Sequence, residues 1–242
     1  LLRSNDKGFF RLEKDYSSSP AMYKSMNDGM VQDYFGTSSY DSFNQKNYIK
    51  FLQDFEIIPI GSEIHSRWAR GLRSRPILQS VMNVKYILSK DLNPKSRDYG
   101  YQEIANIDSL KILKNMFSTP FGSTYYHILE KERFSKLSLI HKDLAIVKAC
   151  IIEESAASHF DKFTGIGDVE LNQEFNVKNF KGYINRLQSD TLVISHFSPN
   201  SIIGDISLKT KKILFLSIPF DSGWNVKVNG KSQQLFLVNC GF

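Results

Sequence analysis

The sequence predicts an α+β fold, with a mixed α/β half over residues 1–160 and an antiparallel β-sandwich-like half over residues 161–242. Three observations carry this expectation. In the first half, apolar residues recur at helical spacing, most clearly at Tyr48, Phe51, Leu52 and Phe55. After Asp168, period two takes over in short segments divided by turns. Asn229-Gly230, between two such segments, is a type I′ hairpin signal, because both central residues need φ > 0. The 242 residues are 41 % apolar and 13 % aromatic, which supplies a sizeable core and excludes a disordered chain.

The elements follow in order. Phe10, Leu12 and Lys14 alternate with Arg11, Glu13 and Asp15, so Gly8–Asp15 reads as a strand with one buried face. Tyr16–Pro20 is a Ser-rich break, and Asn27-Asp28-Gly29 is a turn. Tyr34–Ser42 is rich in hydroxyls and rings and has no helical period. Gln45–Phe55 reads as an amphipathic helix with Asn44 as its N-cap. Pro76 opens a short helix, and Val84–Leu88 is a strand. Asp91–Tyr101 is a polar loop. Ser109–Met116 suits either a strand or a helix, and Phe121–Ile128 leans to strand. Glu130–Leu137 and Lys142–Ile152 read as helices. Five strand-like segments complete the chain: Thr191–Phe197, Ser201–Leu208, Ile213–Pro219, Trp224–Val228 and Gln234–Val238.

Several function classes find no support. No apolar run approaches the roughly 18 residues that cross a bilayer, so a soluble domain is expected. The net charge is +6, and its densest cluster is Arg67, Arg70, Arg73 and Arg75. No nucleic-acid reader motif accompanies that charge, so no nucleic-acid partner is expected. A bland surface excess is the simpler reading of the charge, and proximity to an anionic membrane or wall polymer also suits it. The five His are scattered without metal-ligand spacing, and no Cys-x-x-Cys is present; neither a metal nor a cofactor is expected. Cys150 and Cys240 lie in apolar surroundings and read as buried thiols, although spacing alone does not decide their pairing. Gly165-Ile166-Gly167 lacks the third glycine of a dinucleotide loop and reads as a hinge. Two acidic pairs are candidates for general acid and base: Glu153-Glu154, adjacent on a helix and so pointing in different directions, and Asp205 with Asp221, for which exposed turn carboxylates are the simpler reading. No catalytic residue is expected.

The segment Tyr34–Phe43 carries the clearest binding signal. Sugars stack their C–H faces on aromatic rings and pair their hydroxyls with short polar side chains. Tyr34, Tyr40 and Asp41 offer those groups, as does Trp68 within the arginine cluster. Arg67, Arg70 and Arg73 would then meet polymer phosphate. The competing reading buries these rings in the core. Trp224 reads as a core anchor.

Several segments, in order, resemble those of one family. Phe10-Arg11-Leu12-Glu13 resembles an opening "YRIE"-type strand, and Gly36–Phe43 a "G-x-S-x-Y-S-S" segment. Asn83–Leu88 resembles "GVKYIL", and Pro120-Phe121-Gly122 a "PLGF" turn. Lys142–Ala149 resembles "D-x-A-L-L-K-A". Leu216–Trp224 with Val228–Lys231 resembles "LSIPYDKGW…V(N/D)GK", and Val238–Phe242 resembles "VNGGF". Asn83 and Cys240 stand where that pattern has glycine. Together these resemble the large extracytoplasmic region of the YfhO family of bacterial polytopic membrane proteins, which is similar to GT-C glycosyltransferases. The resemblance implies a non-catalytic domain on the outer face of the cell membrane, contacting cell-envelope glycan such as teichoic acid. Its expected partner is the membrane-embedded remainder of the same protein, where the catalytic carboxylate of that architecture lies. The chain's ends, Leu1-Leu2-Arg3 and Cys240-Gly241-Phe242, fit a segment of a longer protein. The alternative is a structural or partner-binding module with no ligand site.

Overall fold

A computed structural model describes residues 2–18, 26–72, 74–90 and 97–242. The first half runs α1 (Leu2–Asn5), β1 (Arg11–Lys14), α2 (Asp28–Val31), β2 (Ser39–Tyr40), α3 (Lys46–Asp54), α4 (Glu63–Arg67), β3 (Trp68–Ala69), α5 (Pro76–Val81) and β4 (Val84–Ser89). It continues with β5 (Tyr101–Ile107), β6 (Leu110–Asn115), β7 (Gly122–Tyr125), β8 (His127–Glu130), α6 (Lys131–Ser135), α7 (Leu139–Lys148) and β9 (Cys150–Ile152). The rest is β10 (Thr164–Gly165), α8 (Asp168–Leu171), α9 (Val177–Ser189), β11 (Val193–Ser198), β12 (Ser201–Asp205), β13 (Ile213–Leu216), β14 (Val226–Val228) and β15 (Lys231–Gln233). Of the expected breaks, residues 91–96 and 19–20 lie outside the described residues.

The fold is α+β, with 29 % helix and 28 % strand. A mixed four-stranded sheet has the order β1-β4-β6-β5, with β1 parallel to β4 and the other pairs antiparallel. A parallel sheet of order β10-β8-β9 and four two-stranded pairs accompany it.

Most first-half elements form where the pattern places them. Helix α3 buries Phe51 and Leu52, and α5 begins at Pro76, whose missing N–H has no helical partner to lose. The cap of α3 is Gln45 rather than Asn44: its side chain accepts from Tyr48 N at 2.7 Å. Asn44 instead donates to Ser66 O at 2.8 Å. The apolar run after α7 is not helical to its end. Ala149 turns extended, and the β-branched Ile151 and Ile152 enter β9 beside β8.

The second half departs further from expectation. Its strands form antiparallel hairpins β11–β12 and β14–β15, while β13 crosses to pair with β7 of the first half. Thirteen-residue α9 occupies a stretch read as period two. Phe180, Tyr183, Ile184 and Leu187 fall at i, i+3, i+4 and i+7, all buried, and Asn176 caps Lys178 N and Asn179 N. Gln234–Val238 is not a strand: the short β14 gives the ladder its last pair at Val226–Gln233, and Val238 makes only an isolated bridge with Ile152. Asn229 and Gly230 do adopt φ of 51° and 76°.

One large apolar cluster takes residues from both sides of residue 160, from Phe51 on α3 to Phe215 on β13 and Phe242. The Phe242 ring meets Phe51 edge-on at 5.0 Å and Phe215 at 5.9 Å. Burying one such ring is worth about 1.5–3 kcal/mol, so packing holds the C-terminal segment without a disulfide. Cys150 and Cys240 are buried free thiols. A smaller cluster of Leu12, Tyr86 and Ile112 lies on the four-stranded sheet.

Gly71, just after β3, has φ +69°, and a Cβ there would lie 2.3 Å from Thr37 Oγ1 and 2.7 Å from the Thr37 carbonyl carbon. Gly71→Ala should therefore destabilise the domain by about 2–4 kcal/mol in urea unfolding. Gly165→Ala, where a Cβ meets open space, should stay within about 0.5 kcal/mol.

Candidate functional site

Pairing of β2 with β3 sets Tyr40 opposite Trp68, and their rings meet edge-on at 4.9 Å. Asp41 N donates to Arg67 O at 3.1 Å, which brings these four expected residues to one corner. Asp41 Oδ1 accepts from Phe43 N at 2.8 Å, an Asx turn that shapes the loop. Arg67 pairs with Glu63 at 2.5 Å, and Arg70 is exposed nearby without an ion pair among the described residues. Arg73 lies outside the described residues. Arg75 does not share this surface. It donates to Phe55 O at 2.8 Å and forms a bidentate pair with buried Asp143. Burial pushes the Asp143 carboxyl up, against the pull of Arg75.

Tyr34 faces a cleft of about 410 Å³. Its wall is a cluster of four phenylalanines. Phe9 lies 4.9 Å from Phe35, 5.2 Å from Phe121 and 4.5 Å from Phe197. Trp224 and Ile218 line another side, and Asn27, Ser38 and Ser39 supply polar groups. Asn27 clamps the backbone of Tyr40, donating to its O at 2.9 Å and accepting from its N at 2.7 Å. The cleft wall thereby runs on into the Tyr40–Trp68 corner.

Arg11 reaches the cleft from β1 and donates to Met82 O at 2.8 Å and Ser217 O at 2.5 Å. Burial pulls its guanidinium down to about 10. An adjoining recess of about 260 Å³ shares Arg11, Ser38 and Ser39 and adds Gln45 and Tyr48. Segments far apart in the chain, each carrying part of the family resemblance, therefore converge here: the β1 strand, Gly36–Ser39, Phe121, and Ile218 to Trp224.

This arrangement offers ring faces and hydroxyls. Among the described residues, no carboxylate, imidazole or thiol lines the cleft. Asp221 borders a different cavity of about 740 Å³ between β13 and the β14–β15 hairpin, and Asp205 does not line it. Cys240 Sγ lies 3.0 Å from Lys131 Nζ, away from the cleft, and burial pushes that thiol up to about 12. Among the described residues, no three His, Cys, Asp or Glu side chains gather as a metal-binding group.

Phe35 belongs to the ring-rich Tyr34–Phe43 stretch, whereas Phe9, Phe121, Phe197 and Trp224 lie outside the residues that the sequence offers for ligand contact. Trp224 gave a signal, a tryptophan just before a hairpin, but its half-buried place on the cleft comes from the long-range path of residues 217–224.

The family model described as bacterial membrane protein YfhO matches residues 2–174 and 166–242. A curated relative, the uncharacterized protein YfhO of Bacillus subtilis (strain 168), is 24 % identical over 209 residues. That match covers 84 % of this chain and 24 % of the relative, so the chain spans about a quarter of the relative's length. No solved structure matches the chain significantly. Among the described residues, no helix is long and apolar enough to cross a membrane.

The two arginines differ in a way stability measurements can read. Arg75→Met would leave the Asp143 carboxylate buried and unpaired, and should cost about 3–5 kcal/mol in urea unfolding. Arg70→Ala, at an exposed position, should stay within about 0.5 kcal/mol.

Proposed function

The chain belongs to the YfhO family of bacterial membrane proteins, and from that premise we propose that it is a non-catalytic, extracytoplasmic domain that contacts cell-envelope glycan. The parent protein, on this reading, is glycosyltransferase-like, with its chemistry in the membrane-embedded part. The observation that carries the reading is the aromatic cleft, continuous through Asn27 with the Tyr40–Trp68 corner. Tyr34 and Trp224 offer ring surface for sugar C–H faces, and Ser38, Ser39 and Asp41 stand beside them for hydroxyls. Arg67 and Arg70 flank the corner and would meet the phosphates of an anionic polymer such as teichoic acid. Among the described residues the lining holds hydroxyls and an arginine but no carboxylate, imidazole or thiol to activate them, which suits binding rather than turnover.

Binding to an array of bacterial envelope glycans, read at low and at physiological salt, tests the reading. Saturable binding to one polymer class is expected. Tyr34→Ala and Trp224→Ala should each weaken it about tenfold, or ~1.4 kcal/mol, with circular dichroism still showing a folded domain; Tyr34 also packs against the Leu12–Tyr86–Ile112 cluster, so its change should lower the melting temperature as well. Arg70→Ala should weaken anionic polymers alone, and more at low salt. Absence of binding at either salt would overturn the reading in favour of a structural or partner-binding module, as would transfer or hydrolysis of sugar by the isolated domain.

A further inference from the structure

Arg11 is held by its end and left open on its side. Its Nη1 donates to Met82 O at 2.8 Å and to Ser217 Oγ at 3.3 Å, and its Nη2 donates to Ser217 O at 2.5 Å. A guanidinium carries five N–H groups in one plane, so these bonds use three of them. Ser217 accepts from both terminal nitrogens and so takes the two N–H groups that lie between them. What remains, without an acceptor among the described residues, is Nε–H and the second Nη2–H. These two share the side edge of the plane, where a guanidinium receives a carboxylate through two parallel hydrogen bonds.

That edge meets open space rather than packed protein. Arg11 keeps part of its surface accessible, and none of its side-chain nitrogens is both buried and without a partner. The guanidinium carbon stands 5.2 Å from the ring centre of Phe9, one wall of the aromatic cleft. Arg11 lines both this cleft and the adjoining recess of about 260 Å³. In the recess, Asn44 and Gln45 add amide groups at the N-terminal end of α3. Arg11 is the one charged side chain lining either cavity among the described residues. Desolvation outweighs the fields of Tyr48 and Glu13 on this guanidinium. Glu13 accepts from Thr37 Oγ1 and lines neither cavity.

We propose that the side edge of Arg11 receives a sugar carboxylate, so that the glycan taken by the cleft is one that carries uronic-acid residues. The inference rests on the glycan reading and narrows it: the rings hold a sugar, and Arg11 selects its charged substituent. The geometry favours carboxylate over phosphate. Two coplanar donors match two coplanar oxygens, and among the described residues the recess offers no second cation for the further oxygens of a phosphate. Arg67 and Arg70, on the surface beside Trp68, take no part in this contact.

Two ligands that differ in one group test it: an oligosaccharide of glucuronic acid, and the same oligosaccharide with its carboxyl groups reduced to alcohols. The acid form should bind the chain about tenfold more tightly. The Nε–H NMR signal of Arg11 should shift on binding the acid form and stay in place with the reduced form. Arg11→Lys keeps the charge but lacks the planar edge, so it should bind both forms alike. Should that variant fail to fold, the NMR signal of the unaltered chain decides. Arg70→Ala should leave the preference intact. Equal affinity for the two forms would overturn this inference and leave the glycan reading standing, as would binding of neither form by a chain that still binds another glycan of the array. Binding of no glycan at all would overturn both. An Arg11 signal that shifts with a glycerol phosphate polymer and not with the acid form would give the edge to phosphate and overturn the carboxylate.

Discussion

The buried guanidinium of Arg11 is the interaction on which the rest of this domain depends. It sits on β1, yet its two strong acceptors are Met82 O, at the end of α5, and Ser217 O, just past β13. A desolvated cation is tolerable only when its N–H groups find acceptors, and here those acceptors belong to backbone that is 71 and 206 residues away. The first strand, the middle of the chain and its last fifth are thereby held in one arrangement. The neighbouring residues extend the pattern: Glu13 accepts from Thr37 on one side, and Lys14 pairs with Asp28 on the other. A strand reading Arg-Leu-Glu-Lys would ordinarily be taken for a surface element, but Leu12, Glu13 and Lys14 are all buried.

The same economy governs the charge of the whole molecule. Lys14, Arg75, Lys142 and Lys212 spend their charges on partners inside the fold, namely Asp28, Asp143, Glu56 and Asp190.

Local chemistry was the most legible part of the sequence. Pro76 at a helix start, the Asn229-Gly230 turn and the apolar face of α3 act through their immediate neighbours, and each formed where the pattern placed it. Tyr40, Asp41, Arg67 and Trp68 meet because two two-residue strands pair across 28 positions, which composition suggested only as proximity to rings and arginines. The missed features are those decided by distant partners. Cys150–Ile152 is a strand because β8 is there to pair with it. Phe197 becomes a cleft wall because it meets Phe9 and Phe35, more than 160 residues earlier. Helix α9 is the exception: its period was present at Phe180, Tyr183, Ile184 and Leu187, and the strand-like segments after it drew the reading away.

The closure of Phe242 onto Phe51 and Phe215 has a consequence for how the protein is made. A ribosome adding roughly 5–20 residues per second needs on the order of ten to fifty seconds to deliver these 242 residues. Throughout that interval the apolar face of α3 lacks its C-terminal cover, and Arg11 lacks one of its two main acceptors. The core around α3 cannot close by stages: this helix stays uncovered until Phe215 and Phe242, nearly two hundred residues further along the chain, have been made.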